Sequence, residues 1–127
     1  MPTALPDFTK YSDFFDKKHI KEFMAGDYIF RKGDKADCMY VVLAGKVAID
    51  SENRVLYIAK KGDIFGDMAM IDESPRSADV RAFTNCTVAS FDDYAFRFLV
   101  KNMPDFTLDI MRVMAMRIRS LNDALLT

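Results

Sequence analysis

Histidine and cysteine are both scarce in this chain of 127 residues, and their scarcity limits the chemistry that it can perform. There is one histidine, His19, and there are two cysteines, Cys38 and Cys86. A metal site built on histidine needs two or three such ligands, so we predict no metal. A Ser-His or Cys-His nucleophile pair would rest on His19 alone, which we expect to be a surface or half-buried residue. We therefore expect that the chain is not an enzyme.

Neither sign of charge dominates the sequence, and long hydrophobic runs are missing. Lys and Arg total 18 against 19 for Asp and Glu, which gives a net charge of −1. This balance offers no basic field for direct contact with nucleic acid or with an anionic membrane. The longest apolar run, residues 38–44, is far too short to cross a bilayer. Residues 1–10 do not look like a targeting segment, so we expect a cytoplasmic protein with reduced, buried thiols.

The length fits a single domain, residues 1–127, in which a β-rich part precedes a helical part. All five glycines fall between positions 26 and 66, and four of them stand in turn-like pairs with Asp or Lys. Many short strands separated by such turns predict an all-β sandwich or barrel over about residues 21–92. The runs rich in Val, Ile, Tyr and Phe predict strands at residues 28–31, 38–44, 47–51, 55–60, 78–83 and 86–91.

Helical patterns flank this β-rich part. A short helix is predicted near residues 13–19. Asp92 or Asp93 is a good N-cap for a helix over residues 94–102. Pro104 suits the first position of a second helix, which can run to about residue 126. Residues 93–126 are therefore predicted to form two C-terminal helices.

The last helix is apolar over about two faces, whereas one contact surface needs only one. Its polar side includes Asp109 and Arg112, and one apolar face is expected to pack on the β-domain. The second apolar face has the three- and four-residue spacing of a coiled-coil seam, with one polar member. We define the seam as Leu108, Met111, Ala115, Ile118, Asn122 and Leu125. We favour a homodimer through this seam, and the alternative is a helix buried within its own domain.

Residues 65–80 carry the groups best suited to bind a ligand. Gly66 allows the backbone to approach a ligand closely, and residues 67–71 can form one helical turn whose free N–H groups attract an anion. Arg76 offers a planar fork that matches a phosphate. A hydroxyl, a small residue and an acid for a sugar hydroxyl are supplied by Ser77, Ala78 and Asp67. The segment predicts a pocket for a singly charged phosphate, and a surface loop with a stray arginine is the alternative.

The same segment resembles the phosphate-binding cassette of cyclic nucleotide-binding domains. The resemblance rests on Phe-Gly-Asp at its start and Pro-Arg-Ser-Ala-x-Val at its end. Residues 26–34 resemble a hairpin of this family, and residues 39–47 resemble its strand pair. Residues 76–89 are similar to the sensory half of Crp/Fnr-like regulators, and the spacing from Arg76 through Pro104 into the last helix also agrees with them. Several independent motifs therefore occur in the family's order along nearly the whole chain.

The resemblance implies a mainly β fold, a jelly roll of about eight strands with a short N-terminal helical segment and two C-terminal helices. It implies cAMP or cGMP as the ligand, and no other cofactor. The phosphate contacts that it implies are Arg76, Ser77, Ala78, Met68 and Ala69, and the ribose contacts are Gly66 and Asp67. Because Ser follows the arginine, as in the bacterial receptors that this chain resembles, we favour cAMP.

Contacts to the base are implied on the last helix, at Leu121, Asn122 and Arg117. Leu121 and Asn122 stand where similar receptors carry hydroxyl residues that touch the purine, and an Asn side chain can hydrogen-bond a base edge. Arg117 lies within the apolar arc of the helix, where a buried guanidinium needs an acid. Asp67 is the partner that the resemblance suggests, and a guanidinium that extends to water is the alternative.

These features predict a stand-alone regulatory module that binds a cyclic nucleotide and signals through its last helix to a protein effector. Two alternatives stay open. The first is an interaction module of the same fold that no longer binds nucleotide, which is favoured by Asp67, where the family has Glu, and by Leu121. The second is the truncated sensory half of a Crp/Fnr-like transcription regulator, in which a DNA-binding helix-turn-helix would follow the last helix.

Overall fold

Short strands joined by tight turns make up the first three quarters of the computed structural model, which describes residues 5–14 and 16–126 and side chains as far as residue 123. Gly45 (φ +77°) shows why the turns need glycine, because a Cβ there would collide with the backbone of Asn85. The strands are β1 (Ile20–Phe23), β2 (Tyr28–Phe30), β3 (Cys38–Ala44), β4 (Val47–Ser51), β5 (Arg54–Ala59), β6 (Ile64–Phe65), β7 (Asp79–Ala82) and β8 (Cys86–Asp92).

The strands form two antiparallel sheets of four strands each. Sheet A has the order β1-β8-β3-β6, and sheet B has the order β2-β7-β4-β5. Neighbours such as β3 and β8 are far apart in the chain, as expected for a jelly roll. The predicted mainly β jelly roll is therefore confirmed. Its six predicted strands lie within one residue of the observed ends, whereas β1, which lacks an apolar pattern, and the two-residue β6 were not located individually.

The helices frame the sheets at both ends of the chain. Two 3₁₀ helices, Phe8–Phe14 and Lys17–His19, replace the single helix predicted near residues 13–19. In the first of these helices, Phe8 and Tyr11 are three residues apart, which is one turn of a 3₁₀ helix, so both lie on the same buried side. The remaining helices are α1 (Met68–Asp72), α2 (Asp93–Asn102) and α3 (Pro104–Leu126). Asp92 caps α2 by accepting from the N–H of Ala95 at 2.9 Å, as predicted.

Sheet A carries apolar side chains on both faces. Along β3, Met39 and Val41 point to a helix core that includes Phe8, Leu99 and Phe106. The alternate residues of β3 point to a sandwich core between the sheets, which contains Tyr40, Val42, Val47, Phe65, Val80 and Val88. Sheet A is therefore a common wall between the two cores.

The two apolar faces of α3 have different environments. Phe106, Ile110 and Val113 are buried in the helix core. The described seam residues are exposed: Leu108, Met111, Ala115, Ile118 and Asn122. The side chain of Leu125 lies outside the described residues. These five seam residues are thus not buried within the chain's own domain.

Asp109 lies on the predicted polar side of α3, but it is buried. The residue is 1% exposed, and its carboxylate accepts from the hydroxyl of Tyr11 at 2.7 Å and pairs with Lys10 at 2.6 Å and Arg112 at 3.1 Å. The first 3₁₀ helix covers this side of α3, which a helical wheel cannot show. Burial raises the pKa of Asp109, but the hydrogen bonds from Lys10, Tyr11 and Arg112 outweigh burial and leave the pKa below its ordinary value.

Other predictions concern the thiols and the membrane. Both cysteines are free, but Cys86 is buried and Cys38 only half-buried. His19 is half-buried, as expected. Within residues 5–14 and 16–126, no helix combines the length and the apolar character needed to cross a bilayer.

Candidate functional site

A cavity of about 560 Å³ opens between the sandwich core and α3. Residues 63–69 and 74–78 form one part of its wall. The β4–β5 hairpin forms another, residues 113–120 of α3 contribute a third, and residues 5–8 close the remaining side. The segment identified from sequence as ligand-binding therefore lies in this cavity.

Arg76 is buried in the cavity wall with its charge unpaired. It is 4% exposed, and its Nη1 and Nη2 donate to the carbonyl oxygens of Gly66 at 2.9 Å and Cys38 at 2.6 Å. Its Nε is buried and has no hydrogen-bond partner in the described part of the chain. Nor does Arg76 join any ion pair among the described residues. A buried guanidinium with neutral acceptors keeps a full positive charge that an anion would offset.

Aromatic rings and the backbone hold this guanidinium in place. Its carbon lies 4.1 Å from the centroid of the Phe30 ring and 5.9 Å from that of Tyr40. These two rings pack with Phe65 in the sandwich core. The backbone N–H of Arg76 donates to the carbonyl of Asp34 at 2.9 Å. The turn after β2 therefore fixes the arginine from its backbone side.

Gly66 leaves the space that the arginine occupies. Its φ is +73°, and a Cβ would lie 2.7 Å from Nη1 of Arg76 and 3.4 Å from the Phe30 ring. Any side chain at this position would force the guanidinium to move. Gly66 was predicted to let a ligand approach the backbone closely, and in the structure the guanidinium of Arg76 makes this close approach.

Asp67 and Arg117 form the second charged group of the cavity. Their ion pair is bidentate, with Nη1–Oδ2 at 3.0 Å and Nη2–Oδ1 at 3.2 Å. Asp67 is 1% exposed, whereas the side chain of Arg117 is 39% exposed. Because Asp67 stands at the N-cap of α1, the pair joins α3 to the cassette. The partnership predicted for Arg117 is therefore present in the structure, in place of a guanidinium that only extends to water.

Most of the residues predicted to contact ligand line this one cavity. They are Arg76, Ser77, Ala78, Met68, Ala69, Gly66, Asp67 and Arg117. The base contacts predicted at Leu121 and Asn122 are not brought there, since both are exposed and neither lines the cavity. Each residue turns an α-helix by about 100°. Asn122 is about 140° from Arg117 around the helix and points away from the cavity. Leu121 is only about 40° from Arg117, but it lies beyond Ser120, the last residue of α3 that lines the cavity.

Sequence reasoning missed the residues that complete the cavity opposite the cassette. Met116 and Ser120 lie on α3, and Ser120 could have been found from its three-residue spacing to Arg117. Tyr57 of β5 also lines the cavity, and its hydroxyl donates to Oδ2 of the buried Asp63 at 2.9 Å. The pKa of Tyr57 is raised to about 12, chiefly by burial and also by its hydrogen bond to Asp63, while the charge of Arg117 opposes the rise.

Comparison with known families agrees with this geometry. Residues 20–103 match the family model described as "Cyclic nucleotide-binding domain". The match covers more than half of the chain and includes every strand from β1 to β8. The chain belongs to the cyclic nucleotide-binding domain family.

Individual relatives are regulators. The chain is 29% identical over 129 residues to a CRP-like cAMP-activated global transcriptional regulator of Mycobacterium tuberculosis, covering 98% of this chain and 55% of that protein. It is 35% identical over 81 residues to a cAMP-dependent protein kinase regulatory subunit of Emericella nidulans, covering 62% of this chain and 20% of that protein. This chain is therefore a cyclic nucleotide-binding regulatory domain related to both groups.

A solved structure shows the same fold. The catabolite activator protein of Thermus thermophilus superposes with a TM-score of 0.80 at 24% identity, over 94% of this chain and 58% of that chain. The present chain thus spans little more than half the length of this protein and of the Mycobacterium regulator.

Proposed function

We propose that this chain binds cAMP, with cGMP as the alternative ligand, and that α3 transmits the bound state. The phosphate lies against the guanidinium of Arg76 and the ribose beside the Asp67 carboxylate. The remaining phosphate and ribose contacts of the proposal are Ser77, Ala78, Met68, Ala69 and Gly66. The related proteins whose names specify cAMP support this choice of nucleotide.

The unpaired charge of Arg76 is the observation that carries the proposal. The cyclic phosphate diester has one negative charge and two free oxygens, which suit a planar guanidinium fork. The buried Nε of Arg76 still needs an acceptor, which a phosphate oxygen would supply. The neighbouring Ser77 is exposed, so its hydroxyl can donate to the same phosphate. Binding would therefore place a compensating anion beside a cation that now has only neutral partners.

Titration calorimetry with cAMP and with cGMP tests this proposal on the wild type and on Arg76→Leu. We expect the wild type to bind cAMP and the variant to lose binding. Arg81→Leu is the matched control, because Arg81 is partly buried in an ion pair with Asp50 at 2.7 Å and does not line the cavity. Failure of the wild type to bind either nucleotide would overturn the proposal.

We propose that the signal passes through a homodimer formed by the α3 seam, and from there to a protein effector. An exposed apolar stripe at coiled-coil spacing supports this contact. Ile118→Asp should convert the dimer to a monomer in sedimentation equilibrium. Arg119→Asp, a change at an exposed neighbouring position outside the seam, should leave the dimer intact. A wild type that sediments as a monomer contradicts the dimer.

The proposal assigns a regulatory role in the cytoplasm, with no catalysed step and no direct contact with nucleic acid. The near-zero net charge and the single histidine support it. Incubation of cAMP with the protein should leave the nucleotide unchanged by chromatography, and loss of the nucleotide would contradict a purely regulatory role.

A second candidate is an interaction module that does not bind nucleotide. It is favoured by Asp67, because both of its carboxylate oxygens already accept from Arg117. The same calorimetry separates the two candidates, since this one predicts no heat of binding with either nucleotide.

A third candidate is the sensory part of a Crp/Fnr-like transcription regulator, favoured by the 55% coverage of the Mycobacterium relative. This candidate predicts that the reading frame continues beyond codon 127 into a helix-turn-helix segment. Sequencing of the complete frame decides between it and a stand-alone module.

A further inference from the structure

The aromatic ring of Tyr57 lines the cavity, and none of the proposed phosphate and ribose contacts involves this ring. Tyr57 is paired directly with Ile49, whose side chain packs against the sandwich core. Directly paired residues project from the same face of a sheet, so Tyr57 also lies on the inner face of sheet B. It is nevertheless 42% exposed, because β5 is the edge strand of that sheet. Part of the ring is therefore open to the cavity that it lines.

The ring is fixed in position at both ends. Its backbone is held in the β4–β5 ladder, and its hydroxyl donates to Oδ2 of Asp63 at 2.9 Å. The N–H of Lys60 donates to the same oxygen at 2.9 Å, and Asp63 itself is 7% exposed. A side chain that is already ordered loses little conformational freedom when a ligand packs against it.

The polar groups around this ring are already paired with one another. The Tyr57 hydroxyl is bonded to Asp63, and Arg117 is bonded to Asp67. Besides the aromatic ring, the hairpin contributes Leu56 and α3 contributes Met116 to the lining. A rigid ring in a cavity that apolar side chains also line suits a flat heteroaromatic group and does not suit a second charge.

We propose that Tyr57 is the platform on which the base of the bound nucleotide stacks, and that Asp63 is the residue that positions it. This inference rests on the proposed function and names how its site recognises the base. Stacking depends on the area of the base and hardly on its edge groups. Tyr57 therefore favours purines over the smaller pyrimidines, and it does not distinguish adenine from guanine.

Calorimetry with cAMP, cGMP, cCMP and a base-free ribose 3′,5′-cyclic phosphate tests this assignment. Tyr57→Leu should weaken cAMP and cGMP binding about tenfold each and leave the base-free probe unchanged. Tyr57→Phe keeps the ring but loses the hydrogen bond to Asp63, so it should bind cAMP more tightly than Tyr57→Leu and about as weakly as Asp63→Ala. Tyr94→Leu is the matched control, because Tyr94 is 80% exposed on α2 and does not line the cavity.

Two further measurements separate stacking and positioning from general damage to the fold. Because the chain has no tryptophan, its tyrosine emission can be followed directly, and bound cAMP should quench it in the wild type but much less in Tyr57→Leu. Asp63→Ala should weaken cAMP and not the base-free probe. Asp63→Asn keeps an acceptor oxygen for the hydroxyl and should restore most of the affinity.

The outcomes distinguish this inference from the proposed function. A wild type that binds neither cyclic nucleotide overturns the proposed function and this assignment together. A wild type and a Tyr57→Leu variant that bind cAMP equally overturn the stacking assignment alone. An equal loss for cAMP and the base-free probe also overturns it, since the ring would then act only through the fold.

Discussion

The two arginines of the cavity differ in how the protein compensates their charges. Arg76 is buried, donates to two carbonyl oxygens and keeps an unpaired Nε. Arg117 is partly exposed and is held by both oxygens of Asp67. The cassette end of the cavity therefore holds an uncompensated cation, whereas the α3 end holds a completed ion pair.

Under the proposed function, this difference separates a residue that binds the ligand from a residue that stabilises the fold. A buried charge without an acid destabilises the unliganded protein, and an apolar side chain of similar size would remove that cost. Stability therefore does not account for Arg76, whereas the anion binding that we propose would account for it. Arg117, in contrast, connects α3 to the N-cap of α1 before any ligand is present.

The largest expected effect comes from removing the unpaired cation. Arg76→Leu should weaken cAMP binding by at least about a hundredfold, because it removes charge-assisted hydrogen bonds to the phosphate. The free energy of unfolding should change by less than about 1 kcal/mol, since the variant also removes an unpaired buried charge. Urea unfolding without ligand measures the free energy of unfolding of Arg76→Leu. A large loss of stability would show that Arg76, like Arg117, stabilises the fold.

The converse change should act on stability. Arg117→Met should lower the free energy of unfolding by about 2 kcal/mol, because it leaves the carboxylate of Asp67 buried without its partner. The double variant Asp67→Asn with Arg117→Met should regain most of this loss in the same urea titration. If the single variant is as stable as the wild type, the ion pair is not a structural link.

A smaller effect is expected from crowding Arg76 without removing it. Gly66→Ala places a Cβ 2.7 Å from its Nη1 and should weaken cAMP binding about tenfold in calorimetry, a difference of about 1.4 kcal/mol. Gly26→Ala is a matched control, because Gly26 also has a positive φ (+92°) but has no atom within 4 Å of the added Cβ. Equal effects of the two substitutions on cAMP binding would show that backbone strain, and not the arginine, is responsible.

The smallest effect concerns Asp109, a buried carboxylate that is fully paired like Asp67. Because its pKa is lowered by folding, its contribution to stability is present above about pH 4 and is lost as the pH falls through the folded-state pKa. Asp109→Asn should therefore reduce the loss in the free energy of unfolding between neutral and acidic pH. Urea titrations at neutral and acidic pH measure the free energy of unfolding of both proteins. If this free energy falls equally with pH in the wild type and in Asp109→Asn, the prediction is contradicted.

Local patterns in the sequence were sufficient to predict much of the fold. Glycine–aspartate turns and β-branched runs placed six strands, and Asp92 and Pro104 placed the starts of α2 and α3. Spacing and chemistry within residues 65–80 also singled out the segment that carries Arg76. These features depend on neighbours in the chain, which a sequence shows directly.

Features that depend on contacts between distant elements could not be predicted in this way. The burial of Asp109 depends on a 3₁₀ helix that packs over α3, and the position of Tyr57 depends on the register of β4 with β5. The assignment of base contacts to Leu121 and Asn122 came from family resemblance, and neither residue lines the cavity in the structure.

The hydrogen bond between Tyr11 and Asp109 joins residues 98 positions apart, with the whole β-sandwich between them. Closing so long a loop has an entropic cost, so we expect this contact to form after the sandwich and to open before it in the native state. Amide hydrogens of the first 3₁₀ helix should accordingly exchange faster than those of β3. Because Leu5, Pro6 and Phe8 line the cavity, each such local opening would also expose the proposed binding site to solvent.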